Sequence, residues 1–436
     1  MTRLERRALL GAIGTTAIGA TAGCLDFAFL ESDEPRRRFD ADELEPILTM
    51  DLPDVVRPAP VQPSQTAVED AVDRLETLID AVPDPLEADD VPNGAVRNDI
   101  GRTREIARDR RDALEESPDR FRALRRSVAA RRYAGEAAVA IEAARDERSL
   151  EDVESERDDV RTRIENRRTA FDHVGDDVQR TLLLEHRLES ELDIAEWRLD
   201  TRPRDDASGA PAIGSIGGVV EQARAAISFG EELERRHEER LEDERSFADQ
   251  FETALERCLE SIDAADLPDE PDEPADLVEA DVSDTIGETV ALEGAISFVN
   301  AAEWTIEAAS NGETATALRN ACAFERDRRA FETIRDRIED GAHRSLESIE
   351  DVRDVRESAL ESAADVPFEP ETPSLGGDFL AYGYERLGRI DARIREVIDD
   401  DWHTGLSTEY EDYVVIGAQL EALPEAVAVL EDRLGE

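Results

Sequence analysis

Apolar residues recur at intervals of three and four positions along most of the chain from Ser64 to the C-terminus. This is the spacing of an amphipathic α-helix, which buries one stripe of its surface. The first run begins with the capping box Thr66-x-x-Glu69 and ends before Pro83, as a helix with defined ends should. No stretch alternates apolar and polar residues in the manner of a half-buried strand. The pattern therefore predicts an all-α fold.

Two stretches keep this pattern over a long distance. Residues 149–200 contain no proline and carry one apolar stripe throughout, which predicts a single helix about 75 Å long. Residues 219–264 predict a second helix of similar length, and the Gly-, Ser- and Pro-rich segment 201–218 predicts a turn between them. Such a pair favours an elongated antiparallel bundle of long helices. The heptad spacing leaves open a coiled coil with a partner chain.

The segments outside the helical pattern indicate how the chain is divided. Residues 24–63 are rich in Pro, Asp and Glu and have no sustained period, which predicts a flexible, disordered tether. Residues 64–436 form the predicted all-helical domain. An acidic loop with several prolines interrupts this domain and marks a candidate subdivision near residues 265–283. The sequence leaves open whether the helical part is one domain or two.

Residues 1–23 have the organisation of a targeting segment. Arg6 and Arg7 directly precede an apolar run at residues 8–22. A helix of this length spans about 22 Å, which is less than the hydrocarbon core of a bilayer, about 30 Å. The run is therefore interpreted as the core of a signal peptide and not as a transmembrane helix. Three small residues then lead directly to Cys24.

These motifs carry a family resemblance. Arg6-Arg7 before an apolar run resembles a twin-arginine export signal, and the sequence Thr-Ala-Gly-Cys that ends at Cys24 resembles a lipobox. Together with the acidic composition, they are similar to exported lipoproteins of extremely halophilic archaea. The resemblance implies that Cys24 is lipidated and becomes the first residue of the mature chain. It also implies a lipid-anchored protein on the cell membrane that faces the exterior.

The charge of the chain limits its partners and its medium. The 436 residues include 107 Asp and Glu against 52 basic residues, none of them lysine, for a net charge of −55. Such an excess of carboxylates argues against nucleic acid as a partner, because phosphate contacts need surplus cations. Repulsion between these carboxylates also opposes folding in dilute buffer. At 1 M salt the Debye length falls to about 3 Å, so the same charges are screened beyond their neighbours. We therefore expect a folded protein that works in concentrated salt.

Few residues suggest chemistry. Glu234-x-x-His237 has the spacing of a carboxylate and an imidazole in di-iron bundles, but the motif occurs once and is expected by chance in a chain so rich in Glu. His343 lies in a segment only partly similar to the Gly-x-His-x-x-Glu motif of imelysin-like helical lipoproteins. Cys258 and Cys322 lie on apolar stripes of different helices, and the sequence leaves open a disulfide or two buried thiols.

These observations predict a non-enzymatic protein. The sequence contains no nucleophile elbow, phosphate-binding loop or calcium loop, so we expect no catalytic residues, no cofactor and no metal site. The three tryptophans are expected to pack at contacts between helices. The favoured function is an extracytoplasmic, lipid-anchored structural or interaction module of the cell envelope, with the membrane and envelope proteins as partners. The alternative is a solute- or metal-binding lipoprotein associated with transport, which a concave site with converging polar groups would favour.

Overall fold

The computed structural model describes residues 38–168, 171–200, 209–265, 267–268, 277–400 and 402–435. The export signal with Arg6 and Arg7, the lipidation site Cys24 and the remainder of residues 1–37 lie outside the described residues. The described residues belong to one unit of the fold.

The described residues are mainly helical, and the prediction of an all-α fold is confirmed. The helices of the first half are α1 (Gln65–Asp80), α2 (Gly94–Glu115), α3 (Arg120–Ala144), α4 (Leu150–Arg168), α5 (Val178–Asp200) and α6 (Ala210–Glu238). Those of the second half are α7 (Ala248–Ala264), α8 (Ile286–Ser310), α9 (Thr314–Glu339), α10 (Ile349–Asp365), α11 (Leu375–Asp399) and α12 (Ser407–Leu434). Two short 3₁₀ helices, Ala41–Glu43 and Glu45–Leu48, precede them.

The two very long helices expected from the sequence are each interrupted, so that prediction is wrong. Residues 149–200 form the separate helices α4 and α5, which run antiparallel: Arg161 pairs with Asp200, and Arg168 pairs with Asp193. The second long stretch breaks between α6 and α7. Two-residue strands at the breaks, β1 (Val174–Gly175) and β2 (Arg245–Ser246), pair with each other. The apolar stripe continues through each break, and for this reason spacing alone did not reveal the reversals.

The Gly-rich end of the predicted turn is helical instead. Helix α6 begins at Ala210 and includes Gly214, Gly217 and Gly218, all buried. A Cβ atom on Gly218 would lie 2.7 Å from the carbonyl oxygen of Arg132 in α3. These glycines therefore let α3 and α6 approach closely, a packing role that the composition of the segment does not distinguish from a turn.

The apolar interior contains one large core in each half of the chain, and α5 contributes to both. Leu182 and Leu183 of α5 pack into the core formed by α7 to α12. Leu188, Leu192 and Leu199 of the same helix pack into the core formed mainly by α1, α3, α4 and α6. Because one helix is buried on two sides, the halves share part of their interior.

The described part of the predicted tether also packs against the cores. Phe39, Leu44 and Ile47 are buried among the helices of the second half, and Val61 is buried in the core of the first half. The backbone of Phe39 pairs with that of Thr404, and the N–H donated by Phe39 makes a 2.9 Å hydrogen bond. Residues 38–63 are therefore part of the packed body, because they bury apolar side chains that a tether would leave in solvent.

Helix α12 is the one described helix long and apolar enough to cross a membrane. Most of its apolar stretch is buried inside the fold, with Tyr413, Leu423 and Ala426 fully enclosed. A central core helix of a packed protein has the same composition, so this feature is weak support for a membrane span.

Candidate functional site

The most unusual group of polar side chains lies where α9, α11 and α12 meet. We call it the arginine cleft. It is lined by Arg326 of α9, by Phe379, Tyr382 and Arg386 of α11, and by Gln419 and Leu420 of α12. The α11 residues are spaced by three and four positions, so they share one face of that helix. Gly383 lets α11 come close to α12, since a Cβ atom there would lie 2.7 Å from Leu420 Cδ2.

A buried ion cluster around Asp378 lies beside Phe379, which lines the cleft. Arg57, from the segment before α1, donates to both oxygens of Asp378 at 2.5 and 2.8 Å, and Arg319 of α9 donates to Oδ2 at 3.1 Å. Asp378 is only 4% exposed. Burial alone would raise the pKa of Asp378, but the charges and hydrogen bonds of Arg319 and Arg57 hold it well below its usual range. The carboxylate is therefore charged and links the N-terminal segment, α9 and α11.

Arginines stack on aromatic rings along the cleft. The guanidinium carbons of Arg319 and Arg326 lie 4.5 and 4.9 Å from the centre of the Phe379 ring. Arg326 Nε donates to Asp327 Oδ1 at 2.6 Å, and Arg386 Nη1 donates to Oε1 of Gln419. Burial lowers the pKa of Arg386, and the nearby charge of Arg326 lowers it further. The cleft is thus rich in positive charge.

Helix α5 adds a further guanidinium, that of Arg187, near the cluster around Asp378. Arg187 lies close enough to Asp378 to be stabilised by its charge, but burial and repulsion from Arg125 and Arg57 lower the pKa of Arg187 to about 10. The protein has a net charge of −55. Several arginines are therefore buried together only where specific packing places them side by side. The cluster lies where the two halves of the chain meet.

A second contact between the halves is made by Glu189 of α5. Its carboxylate accepts the backbone N–H of Thr316 at 2.6 Å and that of Ala315 at 3.3 Å. These groups belong to the first turn of α9, whose N–H donors have no partner within the helix. Burial raises the pKa of Glu189 to about 7, although these hydrogen bonds oppose the increase, and neighbouring Glu185 adds to it.

A separate buried network holds the N-terminal segment on α10 and α11. Arg356 donates to both oxygens of Asp391 at 2.9 and 2.7 Å and also to the carbonyl oxygen of Met50 at 2.9 Å. Tyr413 donates to Asp391 Oδ1 at 2.7 Å. Burial raises the pKa of Tyr413, as does the charge of Asp391. Nε and Nη2 of Arg356, both oxygens of Asp391 and the Tyr413 hydroxyl have partners within the fold, and Nη1 of Arg356 is buried without one. The network indicates a mainly structural role.

Each candidate metal ligand has a partner within the fold, although the second ring nitrogens of His237 and His343 are buried without one. Glu234 forms an ion pair with Arg167, and His237 Nε2 lies 2.9 Å from the carbonyl oxygen of Val174. His343 Nδ1 lies 2.9 Å from the Tyr410 hydroxyl. Among the described residues, no group of three His, Cys, Asp or Glu side chains is placed to hold a metal ion.

Cys258 and Cys322 are free, buried thiols. Burial raises the pKa of Cys322 to about 12, so this thiol is not ionised at neutral pH. The sequence left open a disulfide or two buried thiols, and the structure contains two buried thiols.

Sequence reasoning did not identify the arginine cleft. One signal was available: Arg326 occupies the position that follows Leu318 and Cys322 at steps of four on the apolar stripe of α9. A charged residue on an apolar stripe indicates a buried polar partner. Arg57 gave no comparable signal, because its partner Asp378 is 321 positions away in the sequence.

The replacement Glu189→Gln tests the buried carboxyl of α5. The pKa of Glu189 is about 7 in the folded state against an ordinary 4.5, so between these values the folded chain binds a proton that the unfolded chain lacks. Its contribution to stability is therefore complete below about pH 4.5 and is lost as the pH rises through 7. Glutamine stays neutral. The free energy of unfolding of the variant should fall less between pH 5 and 8, by on the order of 3 kcal/mol.

Urea unfolding in molar KCl at several pH values measures this difference. Glu361→Gln, an exposed change on α10, should keep the wild-type pH dependence. Parallel profiles for wild type and Glu189→Gln would contradict the assignment.

Comparison with known families divides the chain at the loop before α7. Residues 66–244 match a family described as a Domain of unknown function (DUF8262). Residues 248–432 match another, described as a Domain of unknown function (DUF8264). No curated protein and no solved structure matches the chain. The boundary between the two matches precedes the subdivision expected near residues 265–283. The Glu189 contact joins one matched region to the other, whereas the hydrogen bonds of Asp378 join the second matched region to Arg57, which precedes both.

Proposed function

We propose that this chain is exported through a twin-arginine signal, lipidated at Cys24 and held on the outer face of the cell membrane in concentrated salt. The proposal rests on the sequence motifs at Arg6-Arg7 and Cys24 and on the excess of carboxylates. The packed body begins at Phe39. A chain of the length between Cys24 and Phe39 reaches at most about 50 Å, so the body would stay near the membrane surface.

We further propose that the body is a non-enzymatic interaction module that binds other envelope proteins. The observation that carries this proposal is the exposure of large apolar side chains on an otherwise acidic surface. Trp197, Trp304 and Trp402 are 43%, 54% and 63% exposed, so the expectation that they pack between helices is wrong. Exposed tryptophans are typical of protein-binding surfaces, where they supply much of the binding energy.

Helix α8 carries two of the exposed large apolar side chains. Trp304 and Ile306 are exposed near its C-terminal end, and Ile296 and Val299 are half-buried further along the helix. In concentrated salt, repulsion between the carboxylates of two acidic proteins is screened beyond a few ångströms. Apolar contact then becomes the main source of affinity, which suits a surface built around tryptophan.

The solute-binding alternative has less support. The arginine cleft has converging polar groups, but its free space of about 10 Å³ holds roughly one water-sized group. A nutrient molecule needs a cavity of several hundred Å³. The arginine cleft is therefore too small to be the binding site of a transport-associated solute receptor.

Replacement of Cys24 tests the anchor. The wild-type protein should fractionate with membranes and yield an N-terminal peptide that begins with a lipidated Cys24. Cys24→Ser should be released or left unprocessed, because the anchor is absent, while its circular dichroism in molar KCl stays helical. Wild-type protein that keeps Met1, carries no lipid and stays in the cytosol would overturn the proposal.

Photo-crosslinking in intact cells tests the interaction surface. A photoreactive amino acid in place of Trp304 should give a discrete adduct with another protein. The same group in place of Glu361, an exposed residue of α10, should not, because no exposed apolar surface is proposed there. Adducts of the same pattern at both positions, or adducts with lipid alone at position 304, would contradict the proposal.

A further inference from the structure

The hydrogen-bonding groups that remain free in the arginine cleft are donors. Within the described part of the chain, Arg326 uses Nε for Asp327, and its two η nitrogens make no hydrogen bond. Its side chain is only 10% exposed. The amide oxygen of Gln419 is occupied by Arg386, which leaves the Gln419 NH₂ group as a donor. These donors face a narrow cleft that is partly open to solvent, so they can bind a small partner that accepts hydrogen bonds.

The charges in the cleft require the same kind of partner. Burial lowers the pKa of Arg386 and the charge of Arg326 lowers it further, although Asp327 and Asp412 partly offset this effect. Asp327 binds Arg326 through Nε, and the carboxylate of Asp412 binds Arg393. Apolar side chains, including Phe379 and Leu420, line the rest of the cleft, and repulsion between two cations is strong in such surroundings. An anion between the two guanidiniums would offset it.

The size of the cleft limits its occupant to a monatomic ion or a single water molecule. Its free space of about 10 Å³ matches one water-sized sphere. A carboxylate or a phosphate has several heavy atoms and would need the helices to separate. We propose that the arginine cleft is a halide site in which one chloride ion lies between Arg326 and Arg386 and accepts hydrogen bonds from them and from Gln419.

Such a site gives the protein a specific need for chloride in addition to a general need for salt. An ion that binds only the folded chain stabilises it in proportion to the logarithm of its concentration above the dissociation constant. In molar chloride even a weak site is occupied. The ion would hold α9, α11 and α12 together at the place where all three contribute to one cleft.

Anomalous diffraction from crystals grown in molar potassium bromide tests the site directly. We expect a bromide peak within hydrogen-bonding distance of Arg326 and Arg386 in the wild-type protein and no peak there in Arg386→Gln. Arg389→Gln is the matched control, because Arg389 lies on the same helix, is exposed and stacks on Tyr382 from outside the cleft; it should keep the peak. A wild-type cleft without bromide, or a peak that survives Arg386→Gln, would overturn the proposal.

Thermal unfolding gives an independent reading in solution. At equal potassium concentration the wild-type midpoint should be about 2 °C higher in chloride or bromide than in acetate. This difference should vanish in Arg386→Gln and persist in Arg389→Gln. If Arg386→Gln does not fold, Gln419→Met removes one donor and keeps both charges, and it should reduce the difference. A difference between chloride and acetate that is the same in wild type and in Arg386→Gln would refute a monatomic anion site.

Discussion

Helix α5 has to bury two of its sides at once, one in each apolar core, and the rest of the structure depends on this constraint. Leu182 and Leu183 belong to one core, and Leu188 and Leu192 belong to the other. Separation of the two matched regions would expose one of these sets to water. The buried polar residues of the same helix then need hydrogen-bonding partners in the other half of the chain. The carboxylate of Glu189 accepts such hydrogen bonds from the first turn of α9. Two family matches therefore correspond to one packed body.

The same junction shows why arginine suits this chain. The surface is dominated by carboxylates, and the sequence contains no lysine. A guanidinium can bind a carboxylate with two parallel hydrogen bonds and stack on an aromatic ring at the same time. Arg57 does the first with Asp378, and Arg319 combines an ion pair to Asp378 with a position over Phe379. The interior of the junction is thus held by charges opposite in sign to the net charge of the chain.

The sequence predicted the class of fold and most helix positions, because periodic apolar spacing reports directly on buried helical faces. It did not predict the breaks between α4 and α5 or between α6 and α7, since an antiparallel reversal leaves the stripe intact. Gly214, Gly217 and Gly218 suggested a turn, whereas their role is close packing against α3. The cleft was not predicted because its residues come from α9, α11 and α12. Composition does not show which arginines lie close together in the fold.

Calorimetry in molar KCl tests the central claim, that the two matched regions fold as one unit through α5 and the Asp378 cluster. We expect a single transition for the full chain, with calorimetric and van't Hoff enthalpies that agree. Asp378→Asn should lower the transition temperature, because it leaves Arg57 and Arg319 buried without a charged partner. Asp354→Asn removes an exposed partner of Arg353 and should leave the transition unchanged. Two separate transitions in the wild-type chain, one from each half, would contradict the account.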